Sequence, residues 1–158
     1  MKIEVRRARP QDVPGIADLV EKYARRGELL PRSSEEIASG LDNWVVAVEG
    51  NAIRACGSLV HYTPTLSEVR SLAVSEGAKR NGLGMAIGLA LTDDARSRGV
   101  RTIFALTRAI GFFRKLGFEL SPTERFPEKV WRDCRMCPIQ DRCDEVAVVM
   151  NLSEFEAM

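Results

Sequence analysis

One segment constrains this chain more than any other. An apolar strand, Glu68-Val69-Arg70-Ser71-Leu72-Ala73-Val74, leads through a short linker into Lys79-Arg80-Asn81-Gly82-Leu83-Gly84-Met85, and a long apolar helix starts at once. Glycines let a backbone approach a ligand without Cβ interference. Consecutive amides at a helix N-terminus point at an anion that the helix dipole also favours. A pyrophosphate fits such a cradle, and Lys79 and Arg80 are placed to add charge-assisted contacts to it. A Gly-x-Gly alone is more often a helix cap in a solvated loop, so its meaning depends on its neighbours.

Those neighbours read as one α/β domain with a mixed sheet. Residues 3–7 alternate as an opening strand, and Pro10 begins a helical pattern carrying Val13, Ile16, Leu19, Val20 and Tyr23, which Gly27 stops. Ser33 and Glu36 have capping-box spacing ahead of Ile37 and Leu41, predicting a short second helix. Residues 44–49, a Gly50-Asn51 turn and residues 53–63 predict an antiparallel hairpin, with residues 68–74 as the next strand. The helix over 84–98 ends at Gly99. Residues 102–106 form a strand, 110–116 a short helix with Gly117 behind it, 118–120 a strand, and 144–152 the closing strand. The order is βααβββαβαβ with room for one more strand. At 158 residues, 45% of them hydrophobic, the whole chain is expected to be a single domain.

Charge narrows the partners. Lysine and arginine total 23 against 22 acidic residues, so no global field argues for nucleic acid, and a small-molecule partner is expected. No apolar run approaches the roughly 20 residues of a membrane span. The charged start, with Lys2, Glu4, Arg6 and Arg7, has no signal-peptide core behind it, which implies a cytoplasmic protein that binds no membrane.

The strand Leu72-Ala73-Val74, the loop Lys79 to Gly84 and the helix behind it resemble the acetyl-CoA motif of GNAT acetyltransferases, usually Gln/Arg-x-x-Gly-x-Gly/Ala. Lys79 stands at the Gln/Arg position, keeping charge but losing a planar fork of donors. A second marker, a strand and a short helix ending in Phe112-Phe113-Arg114-Lys115-Leu116-Gly117-Phe118, resembles the same family. The resemblance implies two parallel strands that splay apart to admit the pantetheine arm. Leu72, Ala73 and Val74 would offer it backbone groups, and Lys79, Arg80, Asn81, Gly82, Leu83, Gly84 and Met85 would hold the phosphates. It places Phe113 against the cofactor, where many members carry a tyrosine that protonates the departing thiolate. A thiol pKa of about 8.5 makes that thiolate a tolerable leaving group without a dedicated acid.

Four further stretches, Leu29-Leu30-Pro31-Arg32-Ser33, residues 68–74, Ile103-Phe104-Ala105-Leu106-Thr107 and Phe126-Pro127-Glu128-Lys129, are similar to the acetyltransferase domain of the N-acetylglutamate synthase family. That likeness implies acetyl transfer to the α-amine of L-glutamate, the first step towards arginine. Arg32 would hold a substrate carboxylate, Glu68 would act as base, and Thr107 would stand near the leaving thiolate. Guanidinium meets a carboxylate in two parallel hydrogen bonds, so Arg70 and Arg108 are further candidates, with Lys129 behind them. Another amine acceptor, or a non-catalytic acyl-CoA-binding module, fits the same loop. GNAT domains often pair through their late strands, so a homodimer is expected. A chain of this length has no room for the arginine-sensing kinase domain found beside this domain in many organisms.

The Cys-containing segment 126–145 stands outside the generic pattern. Cys134-x-x-Cys137 and Cys143 resemble a metal knuckle, and a structural zinc would need a fourth ligand from Cys56 or His61. The alternative is a set of small buried thiols.

Overall fold

The computed structural model describes residues 2–121 and 146–152. Along the described chain run β1 (Ile3–Arg7), α1 (Val13–Arg25), α2 (Ser34–Ser39), β2 (Trp44–Glu49), β3 (Ala52–Thr63), β4 (Leu66–Val74), α3 (Leu83–Ser97), β5 (Thr102–Thr107), α4 (Ile110–Leu116), β6 (Glu119–Ser121) and β7 (Val146–Asn151). The seven strands make one mixed sheet in the order β1-β2-β3-β4-β5-β7-β6, parallel between β4 and β5 and antiparallel elsewhere. The α/β class and the mixed sheet expected from the sequence are both present.

Local chemistry sets the elements. In α1, Val13, Ile16, Leu19, Val20 and Tyr23 recur at helical spacing and are all buried. The turn Pro10–Asp12 ahead of it is 3₁₀, closed by the Asp12 amide on the Arg9 carbonyl, while the Asp12 carboxylate takes Arg6 and the Arg9 amide. Ser33 and Glu36 close the predicted capping box over α2.

The two sheet faces bury separate clusters. Leu83, Ile87 and Leu91 of α3 and Phe113 of α4 pack on Val45, Ala55, Leu59, Val69, Ile103 and Ala105. Ile16, Val20 and Tyr23 of α1 and Ile37 of α2 cover Trp44, Val46, Cys56 and Ala73 on the other face. Fully buried side chains such as Ile87 and Leu91 each contribute about 1.5–3 kcal/mol. Helix α3 comes close to the sheet because residue 57 is glycine: a Cβ there would stand 2.8 Å from Ile87 and 2.9 Å from Leu91.

Candidate active site

The parallel ladder between β4 and β5 is short. It pairs Leu66, Ser67 and Glu68 with Thr102, Ile103 and Phe104 and stops there. Both strands continue with other partners, β4 against β3 as far as Val74 and Ala55, and β5 against β7 as far as Thr107 and Val146. A fork therefore opens in the middle of the sheet, with Glu68 at its apex. A bulge follows in β4: Arg70 pairs with Ser58 and Ala73 with Cys56, leaving Ser71 and Leu72 opposite Gly57. Ser71 takes φ 57°, the one non-glycine residue with positive φ among the described residues. An extra residue of this kind bends its strand and re-aims the local peptide groups, so the bulge turns β4 away from β5.

The donor loop closes the wide end of the fork. Residues Glu76–Asn81 wind into a 3₁₀ helix, where the sequence suggested only a loop. Lys79, Arg80 and Asn81 lie in it; their side chains lie outside the described part of the structure. Gly82 is the N-cap of α3 at φ 70°, a conformation that a Cβ would strain. No side chain caps this end, and the first intrahelical bond runs from the Ala86 amide to the Gly82 carbonyl. The amides of Leu83, Gly84 and Met85 thus precede the helix's own hydrogen-bond ladder. At Gly84 a Cβ would lie 3.3 Å from the Phe112 ring and 3.5 Å from Val74, so this glycine brings α4, β4 and the start of α3 together. Phe113, assigned to the cofactor by resemblance, is 5% exposed and stacks edge-on with Phe112 and Phe118 in the core.

Two contacts at this end escaped the sequence reading. Tyr23 of α1 donates its hydroxyl to the Val74 carbonyl, and the Ser75 amide donates to the Arg54 carbonyl. Arg26, one turn on from Tyr23, lies over its ring and pairs with Glu76. The end of α1 therefore holds the junction where β4 becomes the donor loop. Residues 51 apart make the tyrosine contact, and no local pattern announces it.

At the apex, Glu68 is 4% exposed, the kind of burial a carboxylate tolerates only with partners. Arg70 pairs with its Oε1, and Tyr62 of β3 donates to the same oxygen at 2.7 Å. Thr107 ends β5 nearly buried, and its Oγ1 accepts the Ala109 amide at 2.8 Å, leaving the hydroxyl proton for a different acceptor. Arg32, ahead of α2, is half-buried and donates to Glu36 at 3.3 Å. Arg108 is exposed at the bend after β5. The structure thus brings Glu68 and Arg70 together, and places Thr107 on the far strand of the fork.

Lys129, Cys134, Cys137 and Cys143 lie outside the described residues. Cys56 is wholly buried beneath α1, with its thiol donating to the Ser71 carbonyl at 3.6 Å, and burial pushes its pKa up to about 12. That thiol keeps its proton at neutral pH, whereas a zinc ligand must lose it. His61 binds Ser67 and Asn43 at the opposite end of β4 from the fork. Among the described residues no three His, Cys, Asp or Glu side chains are grouped to hold a metal, and no helix is long and apolar enough to cross a membrane.

The sequence profile of the acetyltransferase (GNAT) family matches residues 15–118, a span that contains the fork, the bulge, the donor loop and α4. An uncharacterized N-acetyltransferase of Chlorobaculum tepidum is 37% identical over 148 residues, covering 94% of this chain and 96% of that protein. The amino-acid acetyltransferase of Pseudomonas fluorescens is 33% identical over 125 residues, covering 78% of this chain and 29% of the relative. The solved structure of N-acetylglutamate synthase from Neisseria gonorrhoeae, complexed with coenzyme A and N-acetyl-glutamate, superposes with a TM-score of 0.83 at 26% identity. It covers 96% of this chain and 35% of that one. The chain thus spans about a third of these last two proteins and nearly all of the first. With the family profile matched over most of its length, and a relative 37% identical across 94% of it, the chain belongs to the acetyltransferase (GNAT) family.

Proposed function

We propose that this enzyme moves the acetyl group of acetyl-CoA to the α-amine of L-glutamate. The observation that carries the reading is Glu68, buried and paired with Arg70 at the last register position before β4 and β5 part. An α-ammonium cannot attack a thioester until it loses a proton, so a carboxylate at the apex of the fork has a defined task. In the ternary complex Glu68 takes that proton, through a water, and the freed amine attacks the thioester carbonyl. Backbone amides near Leu72, Ala73 and Val74 polarise the carbonyl oxygen, and the CoA thiolate leaves beside Thr107. The uncapped start of α3, from Gly82 to Met85, receives the pyrophosphate. Arg32 holds a substrate carboxylate, with Arg70, Arg108 and Lys129 contributing positive charge, and such an enzyme works in the cytoplasm as a dimer. The amino-acid acetyltransferase among its relatives supports an amino-acid acceptor, and the similar synthase solved with coenzyme A and N-acetyl-glutamate supports glutamate.

A second reading rests on a specific observation. Arg32 and Arg70 each already pair with a carboxylate, Glu36 and Glu68, which lowers the net positive charge offered to a dicarboxylate and suits a different amine. Thiol release from acetyl-CoA across a panel of amino acids, polyamines and peptides separates the two. We expect glutamate to give the highest rate. No rate above background with glutamate, alongside turnover of another amine, would reject glutamate and keep the family's chemistry. Binding of CoA with no release on any amine would mark a non-catalytic module.

A further inference from the structure

The polar cluster at the fork's apex contains a residue to which the reaction as described gives no role. Tyr62 lies on the same sheet face as Glu68 and Arg70, one hairpin arm away, with its ring 5.9 Å from that of the fully buried Phe104. Phe104 is in turn the β5 register partner of Glu68. Among the described residues the phenol oxygen makes two contacts with defined direction. Arg70 Nη2 reaches it at 2.8 Å, and a guanidinium can only donate. The phenol donates to Glu68 Oε1 at 2.7 Å. Arg70 donates to that same oxygen. The carboxylate is loaded on one side only: both donors meet on Oε1, and no described residue donates to Oε2.

We propose that Tyr62 is a positioning residue that, with Arg70, pins Oε1 of Glu68 and so presents Oε2 as the oxygen that receives the acceptor's ammonium proton. A free carboxylate rotates and exposes either oxygen, whereas two donors fixed in a triangle with Oε1 set both its plane and its rotation. The ring contact with Phe104 holds the phenol in place, because Phe104 is anchored in the β5 ladder between β4 and β7. Among the described residues, each neighbouring strand brings its own groups to the face that carries Glu68. Tyr62 comes from β3 and Arg70 from β4, β5 offers the apolar Phe104 and Leu106, and β7 offers Ala147 and Val149. The hydroxyl of Ser58, on the same face, is spent on the Arg70 carbonyl. Among the described residues Tyr62 and Arg70 are the titratable or charged groups on this face, so removal of the phenol hydroxyl should leave a trace in the pH dependence of turnover.

The inference rests on Glu68 acting as the base, and the test separates the two ideas. The variants are Tyr62→Phe, a site-specific 3-fluorotyrosine at position 62, and Glu68→Gln. Each is assayed as the full chain with acetyl-CoA and L-glutamate, or with whichever amine of the panel turns over, from the acid limb of the kcat profile to its plateau. A hydrogen bond that favours the charged form of a carboxylate, when removed, moves the acid limb to higher pH. Tyr62→Phe is therefore expected to lower kcat about tenfold on the acid limb and less than about threefold on the plateau, with KM for acetyl-CoA unchanged. Fluorotyrosine, a stronger donor of the same shape, is expected to move the limb the opposite way, which no loss of packing does. If Glu68→Gln abolishes turnover while both Tyr62 substitutions leave the limb in place, or Tyr62→Phe lowers kcat equally at every pH, the Tyr62 assignment is overturned and the base survives. If Glu68→Gln is as active as the parent, the base itself is wrong and the role of Tyr62 falls with it.

Discussion

The two ends of the β4–β5 pair are built from the same strands and solve opposite problems. At the closed end, Leu66 to Glu68 stay in register with Thr102 to Phe104, and side chains knit the surroundings together. His61 joins Ser67 and Asn43, Arg98 donates to Asn43 and to the Asp42 carbonyl and pairs with Asp94, and Arg7 pairs with Asp94 as well. At the open end the ladder stops and the bulge at Ser71 bends β4. Among the described residues, the peptide groups of β4 and the first amides of α3 border the gap there. Backbone polar groups need partners when buried, so a sheet that parts its central strands is prepared to take a ligand with its own donors and acceptors. Side-chain satisfaction at one end holds the fold while backbone availability at the other receives the substrate.

Breaking the open end by overpacking should have the largest effect. Gly57 lies opposite the bulge, and a side chain there drives into Ile87, Leu91 and Leu72. Gly57→Val is expected to cost about 1–3 kcal/mol in urea unfolding, and, by displacing α3 from β4, to raise KM for acetyl-CoA severalfold. Ala95→Val adds volume near the other end of α3, where Ala95 is fully buried, and should lower stability without moving that KM. Equal KM changes in both variants would dissolve the distinction between the ends. Next in size is Thr107→Val. If the hydroxyl donates to the departing thiolate, its loss should reduce kcat about tenfold with little change in either KM. An unchanged turnover rate would remove Thr107 from the chemistry.

How much of this was legible depended on whether the cause was local. The capping box of Ser33 and Glu36, the turn at Gly50-Asn51 and the glycine at the start of α3 are set by neighbours within four residues, and each is where the sequence pattern put it. The fork was expected from family resemblance alone, since nothing in residues 66–74 marks where pairing with β5 ends. The bulge was invisible because its left-handed residue is Ser71, where pattern reading looks for glycine. Tyr62 over Glu68 and Tyr23 on Val74 depend on how a hairpin and a helix meet the sheet, a tertiary outcome that no spacing encodes. Family resemblance pointed to Glu68, but the grip on one of its oxygens required the register.

The smallest expected effect belongs to the closed end. His61 is partly desolvated and lies beside the Arg98 guanidinium, and burial first, then Arg98, holds its pKa below the ordinary 6.5, against a weaker opposing pull from Asp94. His61 Nε2 lies 3.2 Å from Asn43 Oδ1 and 3.3 Å from Arg98 Nη1, and its Nδ1 shares a hydrogen bond with the Ser67 hydroxyl. Protonating the ring would set two cations face to face. Because the folded value is depressed, the unfolded chain takes up this proton first as the pH falls. The contribution of His61 is therefore complete above about pH 6.5 and lost progressively below it. His61→Gln should flatten the dependence of Tm on pH below 6.5 by on the order of 1 °C, a small figure because solvent screens the exposed ring. It should leave kcat on the plateau untouched. A fall in kcat comparable to that of Thr107→Val would mean that the closed end communicates with the fork, and that the division of labour along β4 is incomplete.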